Sequence, residues 1–421
     1  MISPKTLEEW LFYTNHLHIQ EIDLGLGRIS PVLQKLAIKP PNTLITVGGT
    51  NGKGSTCTYL SSILQQAGFR VGLYSSPHLV NFKERILING NWVTSEQLIS
   101  AFEEVERARL HVSLTPFEFW TLVMACIFQR ANLDVWVLEV GLGGRLDAVN
   151  VFNPDCAVLT TVDLDHSQWL GNTREQIGEE KSGIFRANGL VVCGDPNPPQ
   201  SVQDRVKILG ARALWFERDF SIKVHDQGSW DFVVQDIRWT GLPPPALSGV
   251  FQYQNAATAL AVLYQLRNQL KVTLDECRQG LMRATLAGRY QKIQNYPLVV
   301  VDVAHNVQAA YALRDLIVQE AISGKIYAVF GLMKDKNITE VMGLMSEVFT
   351  RWFLAPLGEP RSASVEQLIQ AAPNDQAQGY NNVAEAYRAA LLVATPLDMI
   401  VVWGSFVTVA QVLVLVNASK A

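Results

Sequence analysis

A chain of 421 residues, 48% hydrophobic and 18% charged, has ample apolar side chain for a sizeable interior and is long for one core, so two domains are expected. A net charge of −4 with no basic stripe excludes an electrostatic nucleic-acid binder and leaves small molecules as the expected partners. No apolar stretch approaches the roughly 18 residues of a membrane span, and five scattered cysteines without Cys-x-x-Cys spacing fit free thiols in a reducing cytoplasm.

The N-terminal Met1-Ile-Ser-Pro-Lys-Thr-Leu-Glu-Glu-Trp10 has no basic segment followed by an apolar run, so no secretory signal is expected. A helix is expected around Leu7 to Tyr13, then a glycine-spaced loop, Ile22-Asp-Leu-Gly-Leu-Gly-Arg28, and a helix over Ile29 to Leu36.

Thr43-Leu-Ile-Thr-Val-Gly-Gly-Thr-Asn-Gly-Lys-Gly-Ser-Thr56 reads as a buried strand that breaks into a glycine loop and opens a helix, whose core face carries Leu60, Ile63, Leu64 and Ala67. Such a loop turns successive N–H groups toward one anion, and the helix start adds partial positive charge. Lys53 would meet the outer phosphates. The usual P-loop pattern has glycine where Val47 stands and Ser or Thr where Gly54 stands; here the hydroxyls follow at Ser55 and Thr56. A turn serving only tight packing explains neither Lys53 nor those hydroxyls.

The next strand, Arg70 to Tyr74, ends in Ser75-Ser-Pro-His-Leu79, which its composition alone reads as a turn. A charged helix over Ser95 to Arg109 precedes Leu114-Thr-Pro-Phe-Glu-Phe-Trp120 and a further helix through Phe128; the aromatics could be core alone. Leu133-Asp-Val-Trp-Val-Leu-Glu139 is an apolar strand ending on an acid, which is costly there unless paired or bound to a metal, and Gly141, Gly143 and Gly144 turn the chain after it. Cys156 to Val162 is another strand, running into Asp163-Leu-Asp-His166. Ile177-Gly-Glu-Glu-Lys181 would, on spacing, present Lys181 to solvent. After Pro196 to Pro199, alternating segments at Ser221 to His225 and Trp230 to Trp239 suggest a β-hairpin, and an alanine-rich helix starts at Phe251, with Asn255 a possible N-cap.

A domain break is expected after Leu286-Ala-Gly-Arg-Tyr-Gln291, giving domains over 1–291 and 297–421. The second has strands near 298–303, 325–330, 351–355 and 399–403 alternating with helices, hence a smaller parallel sheet. Asp302-Val-Ala-His-Asn306 and Gly331-Leu-Met-Lys-Asp-Lys336 follow its first two strands.

Read together, Gly-Thr-Asn-Gly-Lys-Gly-Ser, Ser-Pro-His-Leu, Thr-x-Phe-Glu-Phe, Leu-Glu-Val-Gly-Leu-Gly-Gly-Arg-Leu-Asp-Ala, Glu-Lys-x-Gly-Ile-Phe-Arg and Asp-x-Ala-His-Asn resemble, in order and over nearly the whole chain, the folylpolyglutamate synthase and dihydrofolate synthase family of the Mur ligase superfamily. The resemblance implies an α/β fold: a P-loop-containing, mostly parallel central sheet followed by a smaller Rossmann-like domain; the polar strand ends expected in both domains suggest a cleft that closes on substrate. The resemblance also implies a cytoplasmic, monomeric, ATP-dependent carbon-nitrogen ligase of folate biosynthesis and one-carbon metabolism. That enzyme would add L-glutamate to dihydropteroate, to tetrahydrofolate, or to both, through an acyl phosphate.

Residue by residue, the resemblance assigns Gly52, Lys53, Gly54, Ser55, Asn255, Arg289 and Asp302 to ATP. It assigns Ser76, Glu139 and His166 to one Mg²⁺, and His166 with a carbamylated Lys181 to a second. Asp23, Leu24, Gly25, Thr115, Pro116, Phe117, Glu118, Leu146, Asp147 and Ala148 would line the folate pocket, and His305 would stand near the incoming amino acid. The catalytic group is thus Lys53, His166, Lys181 and His305. Ala287 stands where the family usually has proline. A cell-wall Mur ligase is disfavoured by Gly54, and a non-catalytic nucleotide-binding regulator would need neither Glu139 nor His166.

Overall fold

The computed structural model describes residues 4–373 and 376–418. Its contacts divide the chain into two compact units. The first runs to Pro77 and takes in Lys83–Ala246 and Tyr253–Ala284; the second consists of His78–Phe82, Leu247–Gln252 and the chain from Thr285 onward.

The first unit is built on an eight-stranded sheet. From edge to edge its strands are Asn91–Trp92, Ile86–Ile88, Val71–Tyr74, Val135–Glu139, Thr43–Gly48, Cys156–Leu159, Leu190–Cys193 and Arg212–Trp215. The pairings from Val71–Tyr74 to Arg212–Trp215 are all parallel, and the first two strands are antiparallel. The central strands are buried along their whole length, as strands covered by helices on both faces must be. The register pairs Val47 with Glu139 and Gly48 with Leu159, so the glycine loop and the end of the acid-bearing strand leave the sheet at one edge. Open α/β sheets bind ligands at that edge.

Helices here begin where the sequence offers caps. Thr94 and Thr115 each close a capping box, with Gln97 and Glu118 respectively, at the start of Ser95–Arg109 and Pro116–Arg130. Trp10 stacks against Phe102 at 5.4 Å, and Trp120 meets Phe102 edge-on at 5.2 Å, joining the N-terminal helix Leu7–Asn15 to these two.

A separate three-stranded antiparallel sheet, Phe220–Val224, Trp230–Val234 and Ile237–Leu242, replaces the simple hairpin suggested by the alternation. The extra reversal is at Gln235, whose φ of 51° supplies the turn without glycine. The helix Phe251–Gln265 places Asn255 a full turn inside, so it is not an N-cap.

The second unit has a six-stranded sheet in the order Gln291–Asn295, Leu298–Asp302, Met399–Trp403, Ile326–Phe330, Arg351–Leu354, Ala377–Gly379. It is parallel apart from the first pair. That pair explains why the unit starts ahead of the break placed at Gln291 by the sequence pattern: Gln291–Asn295 is an edge strand of this sheet, and Gly288 accepts from the N–H of Val303 at 3.0 Å. Alternation sorts the sheet's residues between two cores. Val300, Ala328, Trp352, Val401 and Trp403 pack with the helix Val307–Gln319, while Val299, Val329, Phe353, Ile400 and Val402 pack with Val383–Val393 and Phe406–Ala418.

All five cysteines are unpaired and buried. Among the described residues no helix is long and apolar enough to cross a membrane.

Candidate active site

The glycine loop is shaped by its own backbone and fastened to the neighbouring strand. Gly49 has φ 145° and Gly52 φ 88°. A Cβ on Gly49 would fall 1.9 Å from Thr160 Oγ1, and one on Gly52 2.4 Å from Asn255 Oδ1, so conformation and space both demand glycine. The same measurement puts the Asn255 amide against the loop.

Thr50 N–H donates to the Thr161 carbonyl at 2.7 Å and Asn51 N–H to Thr161 Oγ1 at 3.1 Å, while Thr160 Oγ1 donates to the Asn51 carbonyl at 2.7 Å. Thr50 Oγ1 donates to the Asp163 carbonyl at 3.1 Å. These threonines escape a motif search because they act on backbone across more than a hundred residues, although the hydroxyl pair Thr160-Thr161 at a strand end is a visible trace.

Two cations converge on this loop. Lys53, first residue of the helix Lys53–Gln66, donates from Nζ to the carbonyls of Gly49 (3.0 Å) and Thr50 (3.1 Å). Lys181, on the helix Arg174–Ser182, is 4% exposed and donates from Nζ to the same Gly49 carbonyl at 2.9 Å. Spacing alone put this lysine in solvent; the fold buries it beside Lys53. Ser55 is buried in the first turn of the loop helix.

Glu139 is buried, and its Oε2 accepts from the N–H of Ser76, which precedes a cis proline. The strand ends thus bring Ser76 and Glu139 together. His166 lies past the end of Cys156–Leu159 in a left-handed conformation, φ 51°, with its N–H on Asp165 Oδ1 at 2.8 Å and its side chain about one-third exposed. The segment before it is held by Asp195, which accepts from Val162 N–H at 2.7 Å, and by Arg174, whose Nε donates to the Val162 carbonyl at 2.8 Å. Among the described residues no group of three or more His, Cys, Asp and Glu stands ready to hold a metal; the expected donor set draws only Glu139 and His166 from those types.

The corner that holds the residues expected to line a folate pocket is built around carboxylates. Phe117 is half-buried, lies at 5.9 Å and 26° to the Tyr74 ring, and its Cζ comes within 2.6 Å of where a Cβ on Gly141 would stand. Glu118 Oε2 accepts from Thr115 N–H at 2.8 Å and from Arg28 Nε at 3.2 Å, while Arg28 Nη1 reaches Asp23 Oδ2 at 2.6 Å. The carboxylate expected to read a ring N–H is therefore also a helix cap and an Arg28 partner. Asp147 accepts from Leu142 N–H at 2.8 Å and from Val149 N–H at 2.9 Å, and burial pushes its carboxyl up to about 6. Its neighbour Leu146 accepts from Gly25 N–H at 3.2 Å, which joins the loop of Asp23 and Leu24 to that of Ala148. Pro116 occupies the first position of its helix.

In the second unit, Asp302 ends its strand and accepts from Tyr290 N–H and Ala304 N–H, both at 2.7 Å. Burial raises its carboxyl against the opposing charge of Arg289. The Arg289 guanidinium lies 5.3 Å from the centre of the Phe406 ring. His305 Nδ1 is 2.8 Å from the Val303 carbonyl, which can only accept, so Nδ1 carries the proton.

A glycine loop at the carboxyl edge of a parallel sheet, two lysines on one of its carbonyls and a buried acid on the adjacent strand define a nucleotide-dependent ligase of the Mur type. Consistent with this, residues 47–263 match the Mur ligase middle domain and residues 288–406 the Mur ligase glutamate ligase domain. The dihydrofolate synthase/folylpolyglutamate synthase of Escherichia coli K12 is 41% identical over 99% of this chain and 96% of its own length, and that of Haemophilus influenzae is 38% identical over 96% of each. The structure of E. coli FolC in complex with DHPP and ADP superposes with a TM-score of 0.94 at 40% identity, covering 100% of both chains. The Yersinia pestis bifunctional enzyme complexed with AMPPNP and Mn ion does so at 0.92 and 42%, covering 99% of this chain and 100% of its own. The chain belongs to the dihydrofolate synthase/folylpolyglutamate synthase family.

Proposed function

We propose that this enzyme carries out both reactions in its family's name, joining L-glutamate to dihydropteroate and to the γ-carboxyl of tetrahydrofolates at the expense of ATP. The observation that carries the proposal is the convergence of Lys53 and Lys181 on the Gly49 carbonyl, at the sheet edge that also bears Ser76 and Glu139. The acceptor's carboxylate oxygen bonds to the γ-phosphorus as the bond to the β-phosphate oxygen breaks, so ADP leaves and an acyl phosphate remains. The glutamate amine then attacks the acyl carbon, phosphate departs and the amine loses a proton.

The loop N–H groups and the start of the helix at Lys53 cradle the phosphates. Lys53 offsets charge on the moving phosphoryl group, and Ser55 and Asn255 flank the loop. Arg289 and Asp302 serve the nucleotide, and His305, its ring fixed on Val303, lies near the incoming amino acid. Phe117 offers its face to the pterin ring, with Asp23, Leu24, Gly25, Leu146, Asp147 and Ala148 around it.

The residues present fit a divalent cation: Ser76 and Glu139 supply oxygens, His166 an imidazole, and the strand ends already join the first two. We assign them one Mg²⁺, and His166 with a carbamylated Lys181 a second. A carbamate Nζ retains one N–H, so the bond to Gly49 survives the modification while two oxygens replace an ammonium. Bound there, the ions would screen the phosphates and polarise the phosphoryl oxygens. We place the enzyme in the cytoplasm, which its unpaired thiols suit, and take it to act as a monomer.

The test is ADP release with dihydropteroate, tetrahydrofolate or a muramyl peptide, each with and without glutamate. Glutamate-dependent release with both pterin substrates and none with the muramyl peptide is expected; release with only one pterin substrate would reduce the enzyme to a single activity.

A further inference from the structure

We infer that His18 is a positioning residue for the pterin pocket, acting through Asp23. The inference rests on the reading of Asp23 as a pocket residue given above.

His18 lies between the helices Leu7–Asn15 and Ile29–Leu36, with its side chain 15% exposed. Its ring is a two-ended bridge: Nδ1 is 2.6 Å from Ser113 Oγ, and Nε2 is 3.1 Å from Asp23 Oδ2. Ser113 is in turn anchored on the Leu17 carbonyl at 3.1 Å. An ionised carboxylate only accepts, so Nε2 donates to Asp23, and with the one hydroxyl hydrogen of Ser113 on Leu17, Nδ1 donates to Ser113 Oγ as well. Arg28 Nη1 approaches the same oxygen, Oδ2, at 2.6 Å, and Nη2 donates to the Asp23 carbonyl.

Both side-chain donors load one oxygen of Asp23, and Oδ1 takes no hydrogen bond from any described residue. The carboxylate is thereby pinned from two sides, with Oδ1 kept as the acceptor for a ligand N–H. Arg28 alone would not fix its rotation, because that guanidinium is shared with Glu118, 90 residues away. His18 supplies the second direction of constraint, from a serine tied to the backbone. Holding a binding group in its productive rotamer in advance removes an ordering cost from substrate binding.

The two ring nitrogens allow a discriminating pair of variants. The amide of His18→Asn reaches the place of Nδ1 and can keep Ser113, but it falls short of Asp23. The amide of His18→Gln reaches the place of Nε2 and can still donate to Asp23. Steady-state kinetics should show His18→Asn raising the KM for dihydropteroate about tenfold, with KM for ATP and for glutamate within twofold and a His18→Gln value close to wild type. In an Asp23→Asn background the His18→Asn effect should vanish, since its route to the substrate has gone.

Equal rises in all three KM values, no difference between the Asn and Gln variants, or an undiminished effect in the Asp23→Asn background would overturn the inference. If Asp23→Asn alone leaves the KM for dihydropteroate unchanged, the pocket reading itself falls and His18 with it. If Asp23→Asn raises that KM while His18→Asn does not, only the role of His18 is lost.

Discussion

The glycine loop and the carboxylate-built corner of the first unit are made in opposite ways. In the loop, cations sit on main-chain carbonyls: Lys53 and Lys181 both donate to Gly49, and glycine conformation does the shaping. In the corner, anions sit on main-chain N–H groups: Glu118 accepts from Thr115, and Asp147 from Leu142 and Val149. A lysine on a flexible stem can leave a carbonyl for a phosphate at modest cost. A buried carboxylate cannot leave the N–H groups that hold it without stranding donors, at about 1–3 kcal/mol each. The loop is therefore suited to chemistry that moves charge, and the corner to holding a fixed shape.

The sharpest way to break this contrast is Lys53→Ala. If the lysine acts on the moving phosphoryl group, kcat should fall by about a thousandfold or more with the melting temperature nearly unchanged. Weakened ATP binding with near-normal turnover would instead make Lys53 a ground-state anchor. Lys181 comes next. Lys181→Ala should lose most activity and regain part of it with formate or acetate, while Lys181→Gln should gain nothing. Rescue by small amines would mean that the lysine works as a plain cation. The unmodified pair has its own electrostatic difficulty, since two ammonium groups on one carbonyl repel, and unit charges about 4 Å apart do so by about 4 kcal/mol at an effective dielectric of about 20.

In the corner the effects should be smaller and confined to one substrate. Phe117→Ala should raise the KM for dihydropteroate about tenfold, the 1.4 kcal/mol expected of one lost stacking face, and leave the KM for ATP alone. Equal changes for all substrates, measured in the same assay, would make Phe117 core.

Asp147 tests the fixed-shape idea through pH and stability, with no change in substrate binding to read. Its folded carboxyl titrates near 6 against an ordinary 3.8, so between those values the folded chain binds more protons than the unfolded one. Stability from this group is thus full below about pH 4 and declines as pH rises toward 6. Asp147→Asn cannot titrate, so its stability relative to wild type, read by urea melts, should improve between pH 4 and pH 7 by up to about 3 kcal/mol. A flat difference would mean that the N–H groups already hold the carboxylate ionised.

How much of this could be read from the sequence follows the same division. The loop was legible because its parts are contiguous: the glycines, Lys53 and the hydroxyls lie within one stretch between a strand and a helix. Glu139 was legible because an acid ending an apolar strand is costly. The corner's framework was not, since Arg28 and Glu118 lie 90 residues apart and His18 and Ser113 lie 95 apart, and no local pattern announces either pair. The third strand of the small sheet was hidden for another reason: Gln235 makes the reversal with a positive φ and no glycine to mark it. The start of the second unit came earlier than hydropathy suggested because its edge strand, Gln291–Asn295, is polar at four of its five positions and carries only Ile293 as an apolar signal.

The buried thiols carry a practical consequence. Cysteines 57, 126, 156, 193 and 277 all belong to the first unit, and the chain from Thr285 onward has none. Burial pushes Cys126, Cys193 and Cys277 up to about 12 and raises Cys57 and Cys156 as well, so alkylating reagents find neither access nor thiolate in the folded state. The rate of modification then becomes a clock for the opening of the first unit alone. Tryptophan emission has sources in both units, in Trp352 and Trp403 as well as Trp10 and Trp136. Running the two signals in one denaturant series would time the two halves of the molecule separately, without a single engineered label.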